Sequence, residues 1–598
     1  MQTQDDDIMG KAYDARLMRR LLSLVRPYRW MAVVSVILLI AAQGFSAYRP
    51  KLVQEAVDAA ILAGDGLRLR NFAILFVVLL IGEFLLQYCV IYVTQLMGQR
   101  IIFDLRMKLF THLEHLHLQF FDRNPVGRLI TRVTSDIESL NDMFTSGLVY
   151  LFGDIFLLAG IIVMMFVLDV HLTLVTLAIL PLIFYISVVF KSKVRVAFRE
   201  VRLKIAALNS YLQENITGVT TVQIFNREKK NFEKFDALNR TLTDSHLDSV
   251  FHYAWFYPAI NVASSFAIGM LIWYGSGEVR SSSITLGTLI AFIQYGMLFF
   301  RPIQDLSDKY NILQTAMASS ERVFKLIDTP TEIPNPAQPI TPKVMSGRIE
   351  FRNVYFAYNP QDIRSDEDYI LKDISFVTQP GQSVALVGAT GSGKSTIINL
   401  ASRFYEAQRG DILLDQTDIR RMDQYALRRT MAVVLQDVFL FSGTILDNIR
   451  LGRHDISEAQ VEEAARRVGA DDFIRRLPLQ YLEPVQERGS TLSVGQRQLI
   501  AMARALVFDP RILILDEATS SIDTETERLI QKAIAQLMQG RTSVIIAHRL
   551  STIRHVDQIL VLHKGRIRER GTHEELLAMG GLYYRLYQLQ YKDQEFIA

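Results

Sequence analysis

The hydrophobic residues of this chain form long runs in its first half and short runs in its second half. Six runs in the first half approach the roughly 20 apolar residues that cross a bilayer as a helix. Their approximate limits are 30–48, 72–92, 148–168, 172–190, 251–273 and 286–300. One such run would also suit a buried helix of a soluble protein, but six in succession predict an all-α membrane domain with six spanning helices.

The distribution of charge around these runs predicts their orientation. The two long connections, between the second and third runs and between the fourth and fifth, are both rich in Lys and Arg. Basic residues also cluster before the first run, at Arg16, Arg19, Arg20, Arg26 and Arg29. The positive-inside rule therefore predicts that both termini and both long connections lie in the cytoplasm. The stretch 17–30, with apolar and basic faces, is predicted to be a helix lying along the inner leaflet.

Beyond residue 327 the pattern becomes that of a soluble α/β domain. The segment DTPTEIPNPAQPITPKVMSG contains five prolines and predicts an extended linker. Short apolar strands then alternate with amphipathic helices. The predicted regions are a cytoplasmic N-terminus with an interfacial helix at 1–29, the membrane domain at 30–327, the linker at 328–346 and the α/β domain at 347–598.

Composition agrees with a membrane part joined to a soluble part, since 50% of the residues are apolar and 21% are charged. The 65 basic and 62 acidic residues nearly balance, which gives no support for a nucleic-acid partner. The one cysteine, Cys89, lies in an apolar run, so no internal disulfide can form and a reducing cytosol is indicated. The start of the chain is polar and charged for too long to be a cleavable signal peptide.

A glycine-rich loop follows an apolar strand in SVALVGATGSGKSTIINL. Residues 388–395 fit the pattern G-x-x-x-x-G-K-S, in which backbone N–H groups and a helix start bind phosphate. Lys394 is then placed to reach the β- and γ-phosphates of a nucleotide, and the Ser395 hydroxyl to bind Mg²⁺. An ordinary glycine turn is the alternative, but it does not explain the strand before the loop and the helix after it.

Polar residues also end three downstream strands. In RILILDEATSSID, Asp516 is placed to hold Mg²⁺ through water, and Glu517 to orient or deprotonate an attacking water. Gln436, in MAVVLQDVFLF, can reach Mg²⁺ or that water, and His548, in SVIIAHRLSTI, can contact the γ-phosphate. Solvated or capped strand ends, and a structural histidine, are the alternatives.

Taken in order, these motifs resemble the nucleotide-binding domain of ATP-binding cassette (ABC) proteins. The six apolar runs before a single cassette resemble type I ABC exporters, also called type IV transporters. The resemblance implies a membrane all-α six-helix domain fused to an α/β P-loop cassette, and an ATP hydrolase coupled to transport. It also implies coupling segments at the tips of the two long connections, near 124–127 and 213–218.

The cofactors implied by the resemblance are ATP and Mg²⁺. Glu517, His548 and Gln436 would be the catalytic residues, and Ser395, Gln436 and Asp516 would hold the metal. The implied ATP contacts are Tyr358 stacked on the adenine, the loop residues Gly388, Thr390, Gly391, Ser392, Gly393, Lys394, Ser395 and Thr396, the signature residues Ser493, Gly495 and Gln496 of LSVGQ, and Asp523 of TSSID.

In the family the signature closes on ATP held by a second cassette, so the resemblance implies a partner chain. Val494 stands where the family signature LSGGQ has its first glycine. Valine disfavours positive φ and adds bulk close to a phosphate, although the position could also tolerate an outward side chain. An intact Glu517 beside an altered signature resembles the catalytically intact subunit of bacterial heterodimeric multidrug exporters. We therefore favour a heterodimer over a homodimer.

The resulting prediction is half of an exporter in the cytoplasmic (inner) membrane that moves amphipathic small molecules or lipids. The alternatives are a homodimeric lipid flippase or peptide exporter of the same fold, and an ATP-gated channel or regulator. Polar residues within the spans could contact the transported molecule, but interhelical hydrogen bonds or a wet cavity explain them more simply. These residues are Glu83, Gln87, Asp154, Asn261 and Gln294.

Overall fold

The computed structural model describes residues 14–331, 333–342, 345–516, 524–546 and 550–590. The chain separates into two compact units. The helical unit comprises the residues up to Glu114 together with Val126–Thr329, and the α/β unit comprises His115–Pro125 together with the residues from Pro330 onward. A short piece of the first long connection therefore belongs to the second unit.

The helical unit is built almost entirely from helices that follow one another with short turns. Its helices are α1 (Ala15–Leu24), α2 (Arg29–Ala56), α3 (Gly66–Glu114), α5 (Val126–Thr131), α6 (Ile137–Asp142), α7 (Leu148–Leu168), α8 (Val170–Leu177), α9 (Leu180–Thr217), α10 (Val219–Ile224), α11 (Glu228–Arg280) and α12 (Leu286–Ile327), while α4 (Leu118–Arg123) lies in the α/β unit. Single π-helical turns join α2 to α3 and flank α6.

Five helical segments among the described residues are long and apolar enough to cross a membrane: 26–61, 66–114, 126–168, 170–217 and 228–280. A sixth apolar stretch, Leu286–Phe299 at the start of α12, is shorter. These segments contain the six predicted runs and support a multi-pass membrane protein. At 1.5 Å per residue, the 49 residues of α3 extend over about 74 Å, more than twice the roughly 30 Å of a hydrocarbon core. Helix α3 is thus too long to lie wholly within the bilayer.

The core of the helical unit is formed where α7, α8, α9, α11 and α12 pack together. Phe190 stacks on Phe256 with ring centroids 3.8 Å apart. Phe292 and Tyr295 of α12 are fully buried in the same cluster, and the Tyr295 hydroxyl donates to the backbone carbonyl of Ala47 at 2.8 Å. These contacts pack the sixth apolar stretch, Leu286–Phe299, which is the shortest of the six, against its neighbours.

The described residues of the α/β unit form three sheets. Its strands are β1 (Ile349–Phe356), β2 (Leu371–Thr378), β3 (Ser383–Val387), β4 (Arg409–Leu414), β5 (Thr417–Asp418), β6 (Met431–Val434), β7 (Gly443–Thr444), β8 (Pro484–Val485), β9 (Ile512–Asp516), β10 (Thr542–Ile546), β11 (Gln558–His563) and β12 (Arg566–Gly571). Its remaining helices are α13 (Lys394–Ala401), α14 (Gln424–Arg429), α15 (Ile445–Arg450), α16 (Glu458–Arg467), α17 (Asp471–Arg475), α18 (Val494–Val507), α19 (Thr524–Met538), α20 (Leu550–Ile553), α21 (His573–Ala578) and α22 (Leu582–Gln590).

The largest sheet has six strands in the order β12-β11-β3-β10-β9-β6, and the second sheet, β2-β1-β4-β5, is antiparallel. Alternate residues of β3 and β9 enter two different hydrophobic clusters: Leu513 and Leu515 lie in one, and Ile512 and Ile514 in the other. The sheet is therefore buried on both faces, which explains why its central strands read as uninterrupted apolar runs.

Candidate nucleotide-binding site

The parallel sheet brings several strand ends to one edge. Strands β3, β10, β9 and β6 are adjacent and parallel, and Ile546 at the end of β10 pairs with both Leu386 of β3 and Asp516 of β9. Because the carboxyl ends of parallel strands meet at one edge, the loop after β3, Asp516 and the residues after β6 are gathered there. Gln436 follows β6 closely and its side chain is exposed. This edge is the candidate site.

The loop between β3 and α13 needs glycine at two positions. Gly391 has φ of +79° and Gly393 has φ of +103°, a region that other residues rarely adopt. A Cβ on Gly393 would also lie 2.5 Å from Leu371 Cδ2. Helix α13 begins directly afterwards, at Lys394. The glycines thus allow a tight loop whose N–H groups, together with the helix start, provide an anion-binding cradle.

Lys394 is held inside this loop. Its ammonium donates to the carbonyl oxygens of Gly388 at 2.8 Å and of Ala389 at 3.1 Å. The side chain is 7% exposed, and burial lowers the pKa of Lys394, while the negative charge of Asp516 acts in the opposite direction. A buried ammonium held only by carbonyls is well placed to take an anionic partner.

The other loop side chains divide into an exposed and a buried pair. Thr390 and Ser395 are exposed, whereas Ser392 and Thr396 are buried. The buried Ser392 hydroxyl has no hydrogen-bond partner among the described residues, which is unusual for a buried polar group. An open glycine loop, an orphan hydroxyl and a buried ammonium fit a nucleotide triphosphate. The Ser395 hydroxyl and the Asp516 carboxylate are oxygen donors of the type that Mg²⁺ prefers.

Tyr358 is fixed by aromatic and polar neighbours. Its ring makes edge contacts with Phe356 and Tyr405, with centroid distances of 4.9 and 5.0 Å. Its hydroxyl lies 3.2 Å from Thr396 Oγ1 of the phosphate loop. The ring is half-buried, so part of it stays open at the site. The predicted adenine platform therefore lies beside the loop that would hold the phosphates.

Three predicted residues, Glu517, Asp523 and His548, lie outside the described residues. The described backbone reaches Asp516 on β9, directly before Glu517. It also reaches Ile546 on β10, two residues before His548. Their roles remain predictions.

The signature LSVGQ forms the start of α18. Ser493 is the N-cap: its hydroxyl accepts from the Gln496 N–H at 3.2 Å, and the Gln496 side chain accepts from the Ser493 N–H at 2.9 Å. Val494 is the first helical residue and is 41% exposed, and Gly495 is buried behind it. Valine here needs no positive φ, which favours the interpretation that the position tolerates an outward side chain.

Val494 also lines a cavity of about 290 Å³ that reaches the nucleotide edge. Gln436, Arg488 and Arg497 line the same cavity. Two turns further along α18 from Arg497, Arg504 donates to the carbonyl oxygens of Asn448 and Phe439 at 2.9 and 3.3 Å. The segment that follows Gln436 is therefore tied to the signature helix.

The sequence did not single out the contacts that α4 makes in this unit. Gln119 donates to the Tyr358 carbonyl at 2.8 Å, and Arg123 donates to the Asn359 side chain at 2.7 Å. The buried Tyr405 hydroxyl donates to the Asp122 carboxylate, and burial together with that carboxylate raises the pKa of Tyr405. These residues directly precede the predicted coupling segment at 124–127. Only the tertiary fold brings them to Tyr358, so no local signal marks them.

Comparison with known families and proteins gives consistent results over both units. The family model of the ABC transporter transmembrane region matches residues 32–303, and a second family model, described as ABC transporter, matches residues 371–520. The ABC transporter ATP-binding protein YknV of Bacillus subtilis is 41% identical over 98% of this chain and 96% of its own length.

Two further relatives have names that mention a cargo. The probable multidrug resistance ABC transporter ATP-binding/permease protein YheH of Bacillus subtilis is 41% identical over 87% of this chain and 76% of its own length. The ATP-dependent lipid A-core flippase of Syntrophus aciditrophicus is 35% identical over 97% of this chain and 95% of its own length. The chain belongs to the ABC transporters, as a half-transporter that joins a multi-pass membrane domain to an ATP-binding domain and couples ATP hydrolysis to transport.

Proposed function

We propose that this chain is one half of an exporter that moves amphipathic small molecules or lipids out across the cytoplasmic membrane. Both termini and the ATPase domain would lie on the cytoplasmic side, as the basic connections predict. The names of two relatives, a multidrug resistance protein and a lipid A-core flippase, support an amphipathic cargo. The proposed domain limits are 1–29, 30–327, 328–346 and 347–598.

The observation that carries the proposal is the attachment of α4 beside Tyr358. Helix α4 follows α3, a membrane-spanning helix, after a turn of only a few residues, yet it belongs to the α/β unit. Gln119 and Arg123 contact the backbone or side chains of Tyr358 and Asn359. A rearrangement around bound nucleotide would therefore be passed directly to the end of a membrane helix, as a transport cycle requires.

We assign the following roles at the nucleotide edge. Tyr358 stacks on the adenine, the N–H groups of the loop from Gly388 to Thr396 bind the phosphates, and the Lys394 ammonium exchanges its carbonyl partners for the β- and γ-phosphates. Ser395, Gln436 and Asp516 hold Mg²⁺, which when bound withdraws charge from the phosphates. Glu517 positions the attacking water, and His548 contacts the γ-phosphate.

A second chain completes the arrangement in this proposal. Ser493, Gly495, Gln496 and Asp523 would close on a nucleotide bound by the partner, and the partner's signature on the nucleotide bound here. We favour a different chain as that partner, because an intact Glu517 is combined with Val494 in the signature. Two identical chains are the alternative, and the exposed position of Val494 keeps it open.

The ATPase activity and the mass of the full chain, purified alone in nanodiscs, test this proposal. The matched control is Glu517→Gln. We expect the chain alone to hydrolyse ATP poorly. Its ATPase activity should rise when it is co-expressed with a second, different half-transporter. A particle of dimer mass that hydrolyses ATP alone, with the activity lost in Glu517→Gln, would refute the heterodimer. If a preparation that hydrolyses ATP shows no ATP-driven uptake of amphiphiles into inside-out vesicles, export is refuted.

A further inference from the structure

A cavity in the helical unit, separate from the nucleotide edge, presents polar groups in a membrane-spanning region. It encloses about 210 Å³ between α2, α3 and the start of α7. Its polar lining residues are Gln43, Gln87, Thr94, Gln95, Thr145 and Tyr150, and the rest of the lining is apolar. None of the lining residues is an Asp, Glu, Lys, Arg or His.

Several of these groups have no partner of their own. The side chains of Gln43, Gln95 and Tyr150 form no hydrogen bond with another residue in the part of the chain that the structure describes. Gln87 uses one N–H, donated to Glu83 at 3.3 Å, and its carbonyl oxygen stays available. Tyr150 is 46% exposed, so the cavity opens on the surface of the unit. Amides and hydroxyls inside a bilayer are costly without partners, which indicates a ligand or water at this place.

Two carboxylates near the cavity, those of Glu83 and Asp154, are already paired. Glu83, one turn from Gln87 on α3, is 8% exposed and accepts from Arg49 of α2 at 3.3 Å. Asp154, one turn from Tyr150 on α7, forms an ion pair with Lys309 of α12. These pairs are interhelical contacts, the simpler explanation that the sequence favoured for polar residues in the spans. Since each carboxylate has a cation beside it, neither pair leaves a net charge to attract an ionic ligand.

The cavity is smaller than the roughly 300–1,000 Å³ of sites that enclose a whole drug-sized ligand. It can therefore hold only the polar part of a larger molecule. Tyr150 lies near the start of the third apolar run, and Gln95 lies just past the end of the second. With the proposed orientation, Tyr150 and Gln95 lie at the cytoplasmic leaflet, from which an amphiphile would enter, whereas Gln43 lies deeper, past the middle of the first run.

We propose that this cavity binds the uncharged, hydrogen-bonding head group of an amphiphile, an ester, amide or glycerol group, taken from the inner leaflet. The amides of Gln43, Gln87 and Gln95 and the Tyr150 hydroxyl bind the head group. The apolar tail extends out of the cavity past Ile91, an exposed apolar residue of the lining, into the surrounding lipid. This inference rests on the proposed export function and names the class of molecule that the exporter selects.

Three photoreactive probes with the same diazirine-bearing dodecyl chain test it: a glycerol monoester, a trimethylammonium salt and a sulfate ester. The full chain in nanodiscs, alone or with the partner that restores turnover, is labelled with each probe, and the modified peptides are identified by mass spectrometry. We expect saturable labelling of the peptides around residues 87–95 and 149–150 by the glycerol ester, and little by the two charged probes. Labelling that does not saturate, or equal labelling by a charged probe, would overturn the proposal.

Variants measure the contribution of the amides. Gln87→Leu and Gln95→Leu should each weaken binding of the glycerol ester roughly fivefold, the size of one hydrogen bond. Gln294→Leu is the matched control, because Gln294 lies in the sixth apolar run and does not line the cavity, and it should leave affinity within about twofold. Unchanged affinity in the first two variants would contradict the assignment, and labelling of the unmodified chain does not depend on any variant folding.

The same preparation separates this inference from the export proposal. Site-specific labelling without ATP-driven movement of the glycerol ester would leave the cavity assignment standing and count against export. ATP-driven movement of amphiphiles without labelling at the cavity would leave the export proposal standing and count against the cavity assignment.

Discussion

The tips of the two long connections between membrane helices lie in different units of the structure. The tip of the first, α4, belongs to the α/β unit and is held there by contacts of Gln119, Asp122 and Arg123. The tip of the second, around α10, stays in the helical unit. The first connection is thus anchored in the α/β unit, whereas the second is not.

The second tip is organised by its own neighbours but leaves apolar residues uncovered. The Tyr211 hydroxyl donates to the Asn231 carbonyl at 3.0 Å and the ammonium of Lys234 lies 4.9 Å from the Tyr211 ring centroid, which joins α9 to α11. Ile224 and Phe225 at the end of α10 are 68% and 69% exposed. Exposed apolar side chains on an ordered tip indicate burial by another molecule. The comparison teaches that the first tip is held by contacts within the chain, whereas the second leaves apolar side chains that another molecule can cover.

Phe225→Asp should have the largest effect. If a partner chain covers Phe225, the substitution removes roughly 1.5–3 kcal/mol of burial and lowers ATP hydrolysis by the assembled transporter about tenfold or more. Phe232→Asp is the matched control, because Phe232 is equally exposed on the adjoining part of α11. Steady-state ATPase activity and the mass of the particle are the measurements. Equal effects of the two substitutions would mean that the loss is not specific to the end of α10.

Tyr405→Phe tests the first tip and should have a smaller effect. It removes the hydrogen bond to the Asp122 carboxylate, which is worth about 1.5 kcal/mol at the lower end for a charged acceptor. We expect ATP hydrolysis to persist and the amount transported for each ATP hydrolysed to fall several-fold, because α4 is held less firmly.

A double-mutant cycle with Asp122→Asn provides the control for this prediction. The two substitutions together should cost little more than either one, since they break the same contact. Additive losses would mean that Tyr405 and Asp122 act separately, and the first tip would then not depend on this bond.

The sequence predicts the sites that rely on local backbone pattern and misses those that rely on packing. A strand, a glycine loop and a helix start are contiguous, so the cradle around Gly393 and Lys394 can be read directly. The register of β9 and β10 places Asp516 and the end of β10 at one edge of the sheet. The Tyr405–Asp122 contact joins residues far apart in the chain, and nothing local announces it. Likewise, Gln43, Gln87 and Tyr150 come from three helices, so only the packed helices make them one cavity.

Val494→Gly should have the smallest effect. It tests whether ATP hydrolysis depends on a partner chain because of the signature or because of the second tip. The N-cap pair of Ser493 and Gln496 does not involve the side chain of Val494, which is 41% exposed at the first helical position. Glycine there should cost at most about 0.5–1 kcal/mol of helix stability, and we expect ATPase activity of the chain alone to change less than about threefold. Val494→Ala, which retains a Cβ, is the control for the loss of backbone rigidity. A rise of more than tenfold with glycine, but not with alanine, would show that valine obstructs the nucleotide held by the opposing chain. The signature, and not the exposed α10 tip, would then account for the need for a different partner.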